Sequence, residues 1–381
     1  MNLVIHDLSE KEWSGISAGY EGWDVISDNG EISPCTGCFC CWRKTPGQCV
    51  IKDGYEHIGA RIHHAEEVTV ISKYTYGGFS PFVKNVFDRC IGYVLPQFEV
   101  INGETHHKRR YDEDKAFTFI FYGHDLSPEE KESAWRYVEA VCANIRGHVK
   151  ELEFWERGEE PEAPERAVKA EPGKTVILNG SMRNVKGNSA KFARMLQTSL
   201  NTDAELVDLR DHLDDMTGLV HRLEDASTLV LCMPLYVDGL PAQVIKLLET
   251  FRKEYRGGAA RIYLLANMGL YESKQLRNLF GAVRQWCMKM DFRYMGGLGI
   301  SAGELLGTLV DSRGFDKNFN KKVTQGTARL AEAINRGEAV EDIFAEPHHF
   351  PRWLYILIAN TNWNRLAKRA GISKKDLYRR L

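Results

Sequence analysis

Residues 175–196 read TVILNGSMRNVKGNSAKFARML: a short apolar stretch, a Gly/Ser/Asn-rich turn, then an amphipathic helical pattern. Gly180 lets the chain turn sharply without a Cβ penalty. Ser181 and Arg183 can present hydroxyl and guanidinium donors, and Gly187 permits close approach of the backbone. Asn188 or Ser189 then starts a helix, whose free N–H groups and positive dipole end favour an anion. A strand, such a turn and a helix together form a seat for a phosphate dianion. The turn fits neither G-x-x-x-x-G-K-[ST] nor G-x-G-x-x-G, so the usual nucleotide-loop and dinucleotide-fold readings lose support. The bland alternative is a polar strand–helix turn that binds nothing.

The same plan extends outward in both directions. Apolar strands are expected at Thr175–Leu178, Glu205–Leu209, Thr228–Cys232, Arg261–Ala266 and Phe292–Gly296. Helical patterns lie between them at 189–200, 241–255 and 271–290. The first half repeats the design, with strands at Leu3–His6, Trp23–Ser27, Glu67–Ser72, Phe117–Tyr122 and Val149–Phe154 and a helix over 129–145. Short apolar strands alternating with helices imply a parallel sheet covered on both faces. The expected fold is α/β, with two flavodoxin-like doubly wound five-stranded parallel sheets in tandem and ligands outside the strands' carboxyl ends.

The run ERGEEPEAPERAVKAEPGK (156–174) has no apolar periodicity and reads as a linker. The expected domains are residues 1–156, a linker at 157–173, a second domain at 174–346 and a helical tail at 347–381. Trp353, Leu354, Leu357 and Ile358 form the apolar stripe of one tail helix, and Ser373 caps another.

Net charge is −2, so no basic field argues for nucleic acid. WLYILIA (353–359) is far shorter than the ~20 residues a membrane span needs, and the N-terminus lacks a signal-peptide pattern. A cytoplasmic protein is expected, where thiols stay reduced.

Against that background CTGCFCCWRKTPGQC (35–49) places five of the nine cysteines in one loop. The spacing Cys35-x2-Cys38-x2-Cys41-x7-Cys49 is close to that of loop-held cubane clusters, with Gly37 and Pro46-Gly47 supplying the bends. Zinc suits four thiolates too, although this run lacks two separated knuckles. An empty or redox-active thiol site is the third reading, and Cys40 is a surplus thiol or an alternative ligand. Cys90, Cys142, Cys232 and Cys287 sit in apolar patterns and read as core. The charged run HHKRRYDEDK (106–115) reads as a solvated loop.

GSMRNVKGNS (180–189) and PLYVDGLPA (234–242) resemble the NADPH-dependent FMN reductase branch of the flavodoxin-like superfamily, over about Lys174–Gly299. That resemblance implies FMN with its phosphate on Ser181, Arg183, Gly187, Asn188 and Ser189. The ring would lie against Pro234, Leu235, Tyr236, Val237, Asp238 and Gly239, with Asn267, Met268 and Gly269 as a third wall. PCTGCFCCWRKTPGQCVIKDG (34–54) and ISKYTYGGFSPFVKNVFDR (71–89) resemble the iron–sulfur flavoproteins. Their motif carries a 4Fe–4S cluster onto Cys35, Cys38, Cys41 and Cys49, and a downstream pattern onto Tyr76, Gly77, Pro81, Lys84, Asp88 and Arg89.

In the first half the loop equivalent to 180–189 is HDLSEKEWSGI (6–16), acidic and without the Gly-Asn-Ser turn. Like charge would oppose a phosphate there. The division of sites implies a fused pseudo-dimer in which each copy keeps one centre; association into a homo-oligomer stays open. The expected function is FMN-dependent electron transfer with no side-chain acid or base. The flavin would exchange electrons with the cluster and with NAD(P)H, ferredoxin or a quinone-like acceptor. A nicotinamide donor rests on the resemblance alone. A plain NAD(P)H-dependent flavin or quinone reductase with zinc or an empty thiol site, and a non-enzymatic redox or metal sensor, stay open.

Overall fold

A computed structural model describes residues 1–157, 173–183, 187–309 and 320–381. The chain divides into two compact units, Met1–Glu160 with Ile356–Leu381, and Pro161–Tyr355. Most of the expected linker, 158–172, lies outside the described residues.

In the first unit the elements are β1 (Leu3–His6), α1 (Glu10–Ser14), β2 (Asp24–Ser27), α2 (Cys40–Arg43), α3 (Ile58–His64), β3 (Glu67–Lys73) and α4 (Pro81–Arg89). There follow β4 (Val94–Ile101), β5 (Glu104–Arg109), β6 (Lys115–Gly123), α5 (Pro128–Ile145) and β7 (Gly147–Glu156). The five-stranded sheet has the order β2-β1-β3-β6-β7, all parallel. Leu3, Val4, Ile5, Val68 and Ile71 are fully buried, as central strands covered on both faces require. Phe79, Phe87, Phe117, Phe119 and Phe121 build the core between β6 and α4.

The second unit contains β8 (Lys174–Asn179), α6 (Asn188–Gln197), β9 (Ala204–Asp208), α7 (Met216–Arg222), β10 (Ala226–Pro234), α8 (Ala242–Glu254) and β11 (Arg261–Asn267). Beyond these come α9 (Arg277–Lys289), β12 (Arg293–Ile300), α10 (Gly303–Leu309), α11 (Lys321–Arg336) and β13 (Ile343–Ala345). Its sheet runs β13-β12-β11-β10-β8-β9. Both sheets carry the flavodoxin-like doubly wound order, in which the first strand lies between the second and third. Ile177, Val230, Leu265 and Leu298 of the second sheet pack with Phe192, Leu196 and Leu330.

Three features differ from the sequence expectation. The second sheet has six strands, because β13 pairs parallel to β12. β12 continues to Ile300, four residues past Gly296. Finally, β4 and β5 form an antiparallel ribbon through Asn102 and Gly103, so His106–Arg109 is strand rather than solvated loop. The expected tail becomes α12 (Arg352–Arg369) and α13 (Lys374–Leu377), the latter capped by Ser373, whose Oγ accepts from the Asp376 amide at 3.1 Å. Among the described residues no helix is long and apolar enough to cross a membrane.

Candidate functional site

β11, β10 and β8 are neighbours in one parallel sheet, so the segments that follow them emerge at the same edge. The Gly180 amide donates to Cys232 O at 2.7 Å, and a Cβ on Gly180 would lie 2.6 Å from Val244 Cγ2. Only glycine lets the loop pass that close to α8. Ser181 is buried, its amide donating to Asn179 Oδ1 at 3.2 Å and its Oγ accepting from the Arg183 amide at 3.3 Å. Residues 184–186, inside the phosphate-type turn, lie outside the described residues.

Gly187 is the N-cap of the ten-residue α6 and supplies no side-chain acceptor to its first-turn amides. A helix start of this kind suits an external anion. Ser189 Oγ donates to Asn267 Oδ1 at 2.6 Å, joining α6 to the end of β11. Thus the structure brings Ser181, Gly187, Asn188 and Ser189 to one strand-end edge with Asn267. Arg183 is there too, but its Nη1 donates to Glu304 Oε1 at 3.1 Å, a residue the sequence reading passed over.

After β10 the chain makes a two-residue reversal. The Tyr236 amide donates to Gly239 O at 3.1 Å and the Gly239 amide to Tyr236 O at 3.0 Å. Its central residues, Val237 and Asp238, have φ of 35° and 59°. Left-handed backbone at a β-branched residue costs on the order of 1–3 kcal/mol and gathers at ligand clamps. Pro234 ends β10, and the Leu235 amide donates to Asn267 O at 2.8 Å. The third wall is braced from behind. The Met268 amide donates to Ile300 O at 3.0 Å, Met268 O accepts from the Gly303 amide at 2.7 Å, and Gly269 O accepts from the buried Tyr355 hydroxyl.

In the first unit the corresponding edge is already filled. α1 begins with a capping box: the Ser9 amide donates to Glu12 Oε2 at 2.9 Å and the Glu12 amide to Ser9 Oγ at 3.4 Å. The chain's own carboxylate therefore occupies the helix start. Asp7 Oδ1 also accepts from the Lys73 amide at 3.1 Å. The reversal after β3 nevertheless has the same form as that after β10: Thr75 and Gly78 exchange amide hydrogen bonds of 2.9 and 3.0 Å around Tyr76 (φ 49°) and Gly77 (φ 85°).

The cysteine loop of the first unit is shaped by three left-handed residues, Gly37 (φ 60°), Phe39 (φ 55°) and Gly47 (φ 89°). It rests on α4. The Cys35 amide donates to Asn85 Oδ1 at 3.2 Å, and Asn85 Nδ2 to Ser33 O at 3.1 Å. Arg89, fully buried, forks onto Asp53 at 2.5 and 2.9 Å, holding that carboxyl down at about 2 against the opposing effect of burial. Lys84 and Asp88 form a buried ion pair one turn apart. The 81–89 pattern is thereby the platform of the loop.

The thiols are electrostatic neighbours. Burial pushes Cys35 up to about 12, with Asp88, Cys49 and Cys38 adding to the rise. Cys41 is raised well above the ordinary thiol range by burial, then by Cys35, Cys49 and Cys38. Burial acts upward on Cys38 as well, but the Cys40 amide and the Thr36 hydroxyl outweigh it and favour its thiolate. Burial and mutual repulsion thus favour the protonated form of Cys35 and Cys41; thiolate sulfur is the donor type that iron–sulfur and zinc centres use. Among the described residues, no group of three or more His, Cys, Asp or Glu side chains is arranged to hold a metal ion, the cysteines of this loop included. Cys40 is buried, and its amide approaches Cys38 Sγ at 3.5 Å.

No protein-family model matches this chain, and no curated protein matches it. Among solved structures the chain is similar to the Trp repressor binding protein from Bacillus subtilis, at 15% identity and a TM-score of 0.29 over 37% of this chain and 99% of that one. It is also similar to an azoreductase from Bacillus anthracis str. Sterne, at 13% identity and a TM-score of 0.32 over 43% of this chain and 99% of that one. A third is an FMN-dependent NADH-azoreductase from Bacillus anthracis str. Ames Ancestor in complex with FMN, at 12% identity and a TM-score of 0.29 over 42% and 99%.

Proposed function

We propose that the chain is an FMN-dependent electron-transfer oxidoreductase with its flavin on the second unit and a 4Fe–4S cluster on the first. The observation that carries the flavin half is the contrast between two helix starts. α6 opens on Gly187 with no side-chain cap, whereas α1 is closed by Ser9 and Glu12. Ser181, Arg183, Gly187, Asn188 and Ser189 would hold the phosphate. Pro234–Gly239 would bound the ring, with Asn267, Met268 and Gly269 as its third wall. FMN, when bound, supplies transfer of one or two electrons. The protein's task is to fix the ring, keep water from one face through the 234–239 reversal, and present backbone dipoles to it.

The cluster half rests on the Cys35, Cys38, Cys41 and Cys49 spacing within one loop braced on α4 through Asn85. The shared strand order and the matching reversals at 75–78 and 236–239 support two copies of one plan within the chain. NAD(P)H, ferredoxin or a quinone-like molecule would serve as redox partner, in the cytoplasm.

Anaerobic purification with a visible spectrum and analysis for FMN, iron, sulfide and zinc tests both halves. The expected result is FMN with iron and inorganic sulfide in equal amounts. Zinc without iron, or a yellow protein lacking both metals, removes the cluster; a protein that takes up no FMN in titration removes the flavin.

A further inference from the structure

We infer that Arg110 is a positioning residue for the cysteine centre, and that the C-terminal segment 377–381 holds it in place as a cover over the Cys41 side of the loop. This rests on the cluster reading above. Arg110 lies just past β5 and is 3% exposed. Its Nε donates to Gly92 O at 2.7 Å, and its Nη1 to Leu377 O at 2.9 Å and Arg379 O at 2.8 Å. Nη2, equally buried, has no hydrogen-bond partner. Arg110 Nε comes within 3.9 Å of where a Cβ on Gly47 would stand, which puts the guanidinium beside the cysteine loop. A buried N–H without an acceptor is costly to keep unless something fills it. A sulfur of a thiolate-held centre is an acceptor of the right charge.

The tail reinforces the arrangement from several sides. Arg380 Nε donates to Arg110 O at 3.1 Å, and its Nη2 pairs with Asp112 at 2.7 Å. A Cβ on Gly47 would sit 2.9 Å from Leu381 Cδ1, so Leu381 lies against the bend that leads to Cys49. Further up the tail, Trp363 packs edge-on to Phe39 and Trp42, the rings flanking Cys40 and Cys41. Asn360 clasps the Phe98 backbone at 2.7 and 3.0 Å. Arg110 is thus fastened by the backbone carbonyls of Leu377 and Arg379 while Nη2 remains for the centre.

A cation beside a redox centre favours the reduced, more negative state. Arg110→Met and a chain ending at Tyr378 should both lower the cluster's midpoint potential in anaerobic redox titration. For Arg110→Met the shift is about tenfold in the reduction equilibrium, about 59 mV for one electron. Arg110→Lys, which keeps the charge, should recover most of the potential and keeps the test valid if the Met variant folds poorly. Bleaching of the cluster in air should also be several-fold faster in the truncated chain. Unchanged potential and bleaching in all three variants, with the cluster present in the parent, would overturn the inference alone. A parent protein that assembles no iron–sulfur centre on reconstitution overturns the cluster reading beneath it.

Discussion

Arg183 Nη1 and Glu304 Oε1 stand 3.1 Å apart, so a carboxylate from α10 already occupies the guanidinium that the phosphate-type loop would offer an anion. Both side chains are partly exposed, which limits the pair to about 0.2–1 kcal/mol. Glu304→Gln should therefore tighten FMN binding by no more than about fivefold, read by quenching of flavin fluorescence. Arg183→Ala should weaken it by ~10-fold or more, since a hydrogen bond to a charged group is worth about 1.5–3 kcal/mol. Equal affinity in the parent and Arg183→Ala would remove the phosphate from this loop.

The N-cap of α6 lends itself to a sharper separation of stability from binding. Gly187→Asp would give the helix the acceptor it lacks, a gain of a few tenths of a kcal/mol. The same carboxylate would take the anion's place. Thermal melts should hold or rise slightly while FMN affinity falls by an order of magnitude or more; a loss of both together would point to a folding defect.

Much of this loop was legible because a strand end, a glycine turn and an apolar helical stripe are all local signals. Five parallel strands in each sheet were legible for a similar reason: runs such as LVI at 3–5 and VLCM at 230–233 are buried on both faces. The end of β12 was not. Gly296, Gly297 and Gly299 offer no side chain to read, yet a Cβ there would lie 1.8 Å from Val340 O, 2.5 Å from Leu264 O and 2.8 Å from Leu276 Cδ1. The backbone spacing itself demands the glycines. Asn102-Gly103 is a strong two-residue hairpin signal, but the charges that follow it have the look of a solvated loop and hide the burial of Arg110. Glu304 and Tyr355 reach the site through tertiary packing alone, which no local pattern announces.

Ser189 and Asn267 are both buried and share a 2.6 Å hydrogen bond between α6 and β11. Ser189→Ala would strand the Asn267 oxygen, costing about 1–3 kcal/mol. Chemical denaturation should show a lower midpoint with an unchanged slope. A variant as stable as the parent would mean that water replaces the hydroxyl.

Val237 occupies φ 35° in a reversal that the other unit builds with Tyr76 and Gly77. Asn tolerates left-handed backbone and is favoured in such two-residue turns. Val237→Asn should therefore raise stability by about 1 kcal/mol. If the strained valine bounds the flavin ring, the gain comes with weaker FMN binding, and calorimetry with and without FMN distinguishes the two effects.

His6 and Asp7, adjacent at the end of β1, respond to pH in opposite senses. His6 is 2% exposed, stacked on Trp13 at 4.1 Å, with neither ring nitrogen hydrogen-bonded; burial pulls it down to about 4. Burial pushes Asp7 up to about 6, against the Ser80 hydroxyl, the Lys73 amide and the Tyr122 hydroxyl. Between the ordinary aspartate value of 3.8 and about 6, the folded state holds a proton on Asp7 that the unfolded chain has released, so this residue's contribution to stability falls as pH rises. Between about 4 and the ordinary histidine value of 6.5, the unfolded chain protonates His6 and the folded state does not, so that contribution rises with pH. The two slopes nearly cancel in the parent. Asp7→Asn should leave stability climbing from about pH 4 to 6.5, and His6→Phe, which keeps a ring on Trp13, should leave it falling from about pH 4 to 6. Urea melts across that range decide it: three parallel profiles would show that neither residue titrates as its burial requires.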